Sequence, residues 1–234
     1  MKKRVYQIDL FRFFAAFFVV VFHYTFAAFN AKEKTLFIDY QEFEFFSKYG
    51  YLGVDLFFMI SGFVILKIIN SVFILKFSSY FIAGMLLYRI YTEGIKAKYI
   101  IGVLFCLALS LYYAINRITY LESYYSSNFS YIIISGIVFT FYLLMYLVSV
   151  NKLNFLNKEF FLKLGILTYS LYLVHQVVGI IMLNSLKDYM DKNLLLLLII
   201  TLMFLVSYLV NLLVEKPLSK KMKLKLDIII KNKL

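Results

Sequence analysis

The chain has one proline and one cysteine among 234 residues, and only 16% of its residues are charged. The lone Cys106 excludes an internal disulfide; set in an apolar run, it reads as a small packing residue. No Pro-, Gly- or Ser-rich stretch divides the sequence and no internal repeat is visible, so 1–234 reads as a single domain. Period-2 alternation, which a membrane barrel requires, is also missing. There is no glycine-rich phosphate loop. The two histidines are far apart in sequence and lack supporting cysteines, which argues against a metal site.

What is abundant is apolar. Hydrophobic residues make up 63% of the chain, and the mean hydropathy is +0.82. A soluble domain cannot hide that much apolar surface, and several segments reach the roughly 17–25 residues that cross a bilayer as a helix. The expected fold is all-α: a polytopic membrane helix bundle with about six to seven hydrophobic helices. Candidate spans are 10–29, 51–69, 77–91, 98–115, 129–150, 162–184 and 193–214. The 26 Phe and 21 Tyr read as lipid-facing bulk and an interfacial belt.

A net charge of +12 raises nucleic acid as a partner, but the placement of the charges excludes it. Lysines sit at helix ends and crowd a basic tail, 215–234. Clusters of this kind beside a span mark the cytoplasmic side and attract anionic lipid. Lys2, Lys3 and Arg4 place the N-terminus in the cytoplasm and residues 30–49 outside. The basic tail places the C-terminus in the cytoplasm too. Seven spans cannot satisfy both ends. The expected resolution is that 77–91 does not cross, so that 70–92 is interfacial or folded back into the bundle. Lys67, Lys76, Arg89, Lys96 and Lys98 would then share the cytoplasmic face. The N-terminal stretch also has some features of a signal peptide, with small residues at Ala27, Ala28 and Ala31. Asp9, Arg12 and His23 fit that reading poorly.

Arg12 and His23 stand inside the first span, where ionisable side chains are costly and mark function by default. Eleven residues of helix return to within about 20° of the starting direction and rise about 16 Å. The two side chains therefore share a face but cannot pair. His23 is the candidate base: a neutral imidazole accepts a hydroxyl proton and returns it near pH 7, or carries an acyl group itself. Its competing reading is a helix-packing histidine. Arg12, near the cytoplasmic end, is suited to phosphate groups; its competing reading is a snorkelling interface marker. Asp9, one turn earlier, is placed to pair with Arg12.

The second span reads GYLGVDLFFMISGFVI, and with Arg-x10-His it resembles the acyltransferase-3 family of bacterial integral-membrane O-acyltransferases. FSSYFIAGMLLYRI (77–90), LGILTYSLYLVHQ (164–176) and VEKP (214–217) are similar to later family elements in the same order. Several family helices, including an Arg-x-x-Arg element, have no counterpart here. Only Leu66–Leu75 bridges the Ser-Gly-Phe motif and the 77–90 helix, so middle helices are missing between 66 and 77.

The resemblance implies transfer of an acyl group, acetyl in the simplest case, from cytoplasmic acyl-CoA to a hydroxyl of a surface or secreted glycan. It also implies an inner-membrane location and no bound cofactor. The bilayer, the acyl-CoA and the glycan would be the partners. Counted by helical rise, Asp55 and His23 lie at similar depths, which makes Asp55 the expected orienter of His23. Ser61 and Gly62 read as packing residues. Tyr169, Tyr172 and His175 are candidates for the acceptor pocket or for interhelical hydrogen bonds, and His175 has a depth like that of His23. Glu215 and Pro217 read as a helix-ending interface element. The alternative function is an inactive remnant or membrane scaffold, which the missing middle favours. A small transporter is a third reading, but no inverted repeat is visible.

Overall fold

The structure is a computed structural model that describes residues 5–65, 77–220 and 222. It is 83% helical, and the described residues contain no strand. Among the described residues, seven helices carry the fold. They are α1 (Tyr6–Asn30), α2 (Gly53–Ile65), α3 (Ser78–Glu93), α4 (Ala97–Tyr125), α5 (Tyr131–Ser149), α6 (Phe160–Leu186) and α7 (Lys192–Lys220). Five of them, α1 and α4 to α7, are long and apolar enough to cross a membrane. α2 and α3 have 13 and 16 residues, about 20 and 24 Å at 1.5 Å per residue.

Local sequence sets several boundaries. Ser130 caps α5 by accepting from the Ile133 amide, and Asp191 caps α7 by accepting from the amides of Asn193 and Leu194. Gly94, at φ +83°, ends α3 in a conformation that favours glycine. Around it, Arg89 of α3 and Lys96 and Tyr99 of the following turn all donate to Glu93, the last residue of α3.

α1 is the central element. It packs against α2 on one side and α6 on the other. It runs parallel to α6: Gly165 meets Asp9 near one end and Gly179 meets Tyr24 near the other. It runs antiparallel to α2, where Gly53 meets Ala15 and Val19. α2 and α3 press their backbones together where they cross. A Cβ on Gly62 would sit 1.9 Å from the Phe81 carbonyl oxygen, and one on Gly84 would sit 2.0 Å from that of Met59. Only glycine allows so close an approach.

α3 lies inside the bundle. Phe77, at its start, lines a cavity with Asp55 and Arg117; Tyr88, near its end, lines another with Val5, Ile8 and Arg12. α3 therefore runs from the level of Asp55 to the end of the bundle where α1 begins. It packs within the bundle, burying Tyr80, Ala83, Leu87 and Ile90. α2 and α3 also run in the same direction: Asp55 accompanies Phe77 and Tyr80, and Phe63 accompanies Tyr88. Lys67, Lys76 and the bridge Leu66–Leu75 lie outside the described residues.

The C-terminal motif departs from expectation as well. Helix continues through Pro217 to Lys220, so VEKP does not end it. The wider turn at Asn211–Glu215, with i→i+5 bonding, makes room for a ring that an ordinary helix interior rejects.

Candidate functional site

A cavity of about 610 Å³ opens between α1, α2 and α6. Asp9, Arg12, Ser61, Tyr169 and Tyr172 all line it. These five candidates come from three separate stretches of sequence, and the fold brings them to one surface. The first-turn carboxylate pairs as expected, with Asp9 Oδ1 3.8 Å from Arg12 Nη1. Arg12 also lines an adjoining cavity of about 310 Å³ with Phe63, Val64 and Tyr88. It thus stands between two spaces at its end of the bundle.

His23 and His175 lie one turn beyond Tyr172, away from Arg12. Their ring centroids are 5.3 Å apart, and the Tyr172 ring is 5.9 Å from that of His175. The matched depth expected for the two histidines is realised, because α1 and α6 run parallel. His23 opens a π-helical turn, His23–Ala27, of the kind that recurs at functional positions. The Tyr24 hydroxyl donates to the His175 carbonyl oxygen at 2.6 Å and ties the two helices together at this level. Gly179 leaves room for the Tyr24 ring, since a Cβ there would lie 1.9 Å from the Tyr24 hydroxyl.

Asp55 has a different partner from the one expected. Arg117 Nη2 donates to Asp55 Oδ2 at 3.0 Å, and the guanidinium lies 4.7 Å from the Tyr51 ring centroid. The depth count failed because the helix ends are not flush. Gly53, at the start of α2, packs at Ala15, and His23 is eight residues further along α1, about 12 Å of rise. Phe22 stacks edge-on against both His23 and Tyr51, so an aromatic wall stands between the histidine pair and the Asp55–Arg117 pair. Asp55 and Arg117 line their own cavity of about 540 Å³ with Tyr80 and Tyr120.

Known protein families, curated proteins and solved structures were compared with the chain, and none matches it.

Gly62 is a backbone contact to α3, whereas its neighbour Ser61 faces the 610 Å³ cavity. Glu215 accepts from Ser170 and from Asn211, each at 2.7 Å, and so binds the end of α7 to α6. Among the described residues no group of three or more His, Cys, Asp or Glu is placed to hold a metal ion. Arg117 had no motif to mark it. Its only signal in the sequence was that it is one of four arginines, set beside an apolar run.

Proposed function

We propose that the chain is a membrane O-acyltransferase of the acyltransferase-3 type, shortened in its middle. It would sit in the bacterial inner membrane and move an acyl group from acyl-CoA to a glycan hydroxyl. The observation that carries this reading is the shared cavity. Arg12, Ser61, Tyr169 and Tyr172 line it, and the histidine pair stands one turn beyond its Tyr172 edge. A path from a phosphate-binding arginine to a buried imidazole is what a thioester donor requires.

In this reaction the acceptor hydroxyl loses its proton to His23, and its oxygen attacks the thioester carbonyl. The C–O bond forms, the C–S bond breaks, and His23 returns the proton to the departing thiolate. Arg12 would hold donor phosphate, with Asp9 fixing its guanidinium. Tyr169 and Tyr172, both more than half exposed, offer hydroxyls and ring faces to a sugar. Asp55 has no part in orienting the base, because Arg117 takes its carboxylate.

The test is O-acetylation of surface polysaccharide in cells carrying the wild-type chain, a His23→Ala chain or no chain. The expected result is acetylation with the wild type only and a loss of roughly 10²–10⁴-fold in turnover for His23→Ala. Equal acetylation in all three would overturn the reading in favour of the scaffold.

A further inference from the structure

His175 carries an unused acceptor. Its Nδ1 lies 2.9 Å from the Leu171 carbonyl oxygen and 3.0 Å from that of Tyr172. Carbonyl oxygens only accept, so Nδ1 must carry the proton. In the neutral ring, Nε2 is then the bare nitrogen with a lone pair. It is buried and has no hydrogen-bond partner. Because Nδ1 is anchored to the backbone of α6, Nε2 projects away from that helix. His23 of α1 is the ring-nitrogen donor next to it, at 5.3 Å between centroids.

We propose that His175 is the positioning residue of His23. Nε2 of His175 accepts the N–H of the His23 ring through one bridging water. This fixes the His23 tautomer and directs the other His23 nitrogen, as the base, to the substrate. The role is the one a carboxylate plays in hydrolase triads. At this depth a neutral imidazole performs it without the desolvation cost of a buried anion. Two further features support the arrangement. The Tyr24–His175 hydrogen bond sets the height of α6 through a backbone oxygen, so it holds whatever side chain occupies position 175. No carboxylate among the described residues is shown hydrogen-bonding either ring; the tyrosine rings beside His175 are Tyr24 and Tyr172.

The use of this pairing rests on the acyl-transfer reading, but its existence can be tested without it. The chain contains two histidines, so 15N-histidine labelling gives a spectrum of two imidazoles. In protein held in lipid nanodiscs, wild-type His23 is expected as a single tautomer and His175 Nε2 as a hydrogen-bonded acceptor. In His175→Leu, His23 should become a mixture of tautomers. In His175→Gln, whose amide oxygen accepts a hydrogen bond, it should remain single. In acyl transfer, His175→Leu should lower kcat about tenfold or more with little change in KM, and His175→Gln should recover most of it. An unchanged His23 tautomer in His175→Leu overturns the proposal, as does equal loss of kcat in the two variants. If His175→Leu does not fold, the wild-type spectrum decides: a His175 Nε2 shift typical of a free acceptor overturns it. A wild-type chain with no acyl transfer but with the tautomer pattern intact would reject the reaction and keep the pairing.

Discussion

Asp55 is fully buried, and its charge is balanced by an arginine that is itself only about a quarter exposed. Breaking such a pair from one side leaves the other charge stranded. Asp55→Ala is therefore expected to destabilise the protein by about 3 kcal/mol. Replacing both residues together, Asp55→Leu with Arg117→Met, should recover much of that loss. Thermal unfolding of the purified variants in detergent measures both. A double variant no more stable than Asp55→Ala would show that the pair is not a unit. The same residue shows how far the sequence could be read. It marked Asp55 as functional or paired, and paired is what the structure shows. The partner was illegible because Arg117 lies 62 positions away, and because depth counted from assumed helix ends ignores where a loop folds back.

The seven helices follow from apolar length and capping residues, but their contacts follow from glycine. At the α2–α3 crossing the two backbones touch through Gly62 and Gly84. Gly62→Val and Gly84→Val are each expected to cost about 1–3 kcal/mol by forcing the helices apart. Both variants should unfold at lower temperature than the wild type, and a Gly136→Val control should not, since nothing lies within 4 Å of a Cβ there. Equal losses at all three positions would reduce the effect to helix propensity. The π-helical turns belong to this scale as well. One begins at His23 and the other ends at Glu215, and neither has a period that hydropathy reveals.

Residues 31–52 bind the molecule together at the His23 end. Lys192 donates to the Asp39 carbonyl and to Glu42, and Tyr40 donates back to the Lys192 carbonyl. On the other side, Lys48 donates to the Asn128 carbonyl and Ser127 donates to Glu44. The segment thus straps the α6–α7 turn to the α4–α5 turn, and its own Leu36 and Tyr40 are fully buried. The α3–α4 turn lies at the opposite end of the bundle. In a Cys106→Ala background, cysteines at Ile95 and Asn128, both exposed, are expected to react with impermeant maleimide from opposite sides of the membrane. Labelling of both from one side would mean that α4 does not cross.

By itself the sequence determined the fold class, because 63% hydrophobic residues arranged in long runs admit few alternatives to membrane helices. It also marked Arg12 and His23 as neighbours on one face, since helical periodicity links residues eleven apart. Tertiary structure decided everything that depends on which helices meet. Parallel packing of α1 and α6 brought His175 to His23, and the register of Gly53 on Ala15 carried Asp55 away to Arg117. Periodicity fixes the direction of a side chain around its own axis. The height at which one helix passes another is set by backbone contacts at a few small residues and by the loops that tie the ends, and no local pattern encodes it.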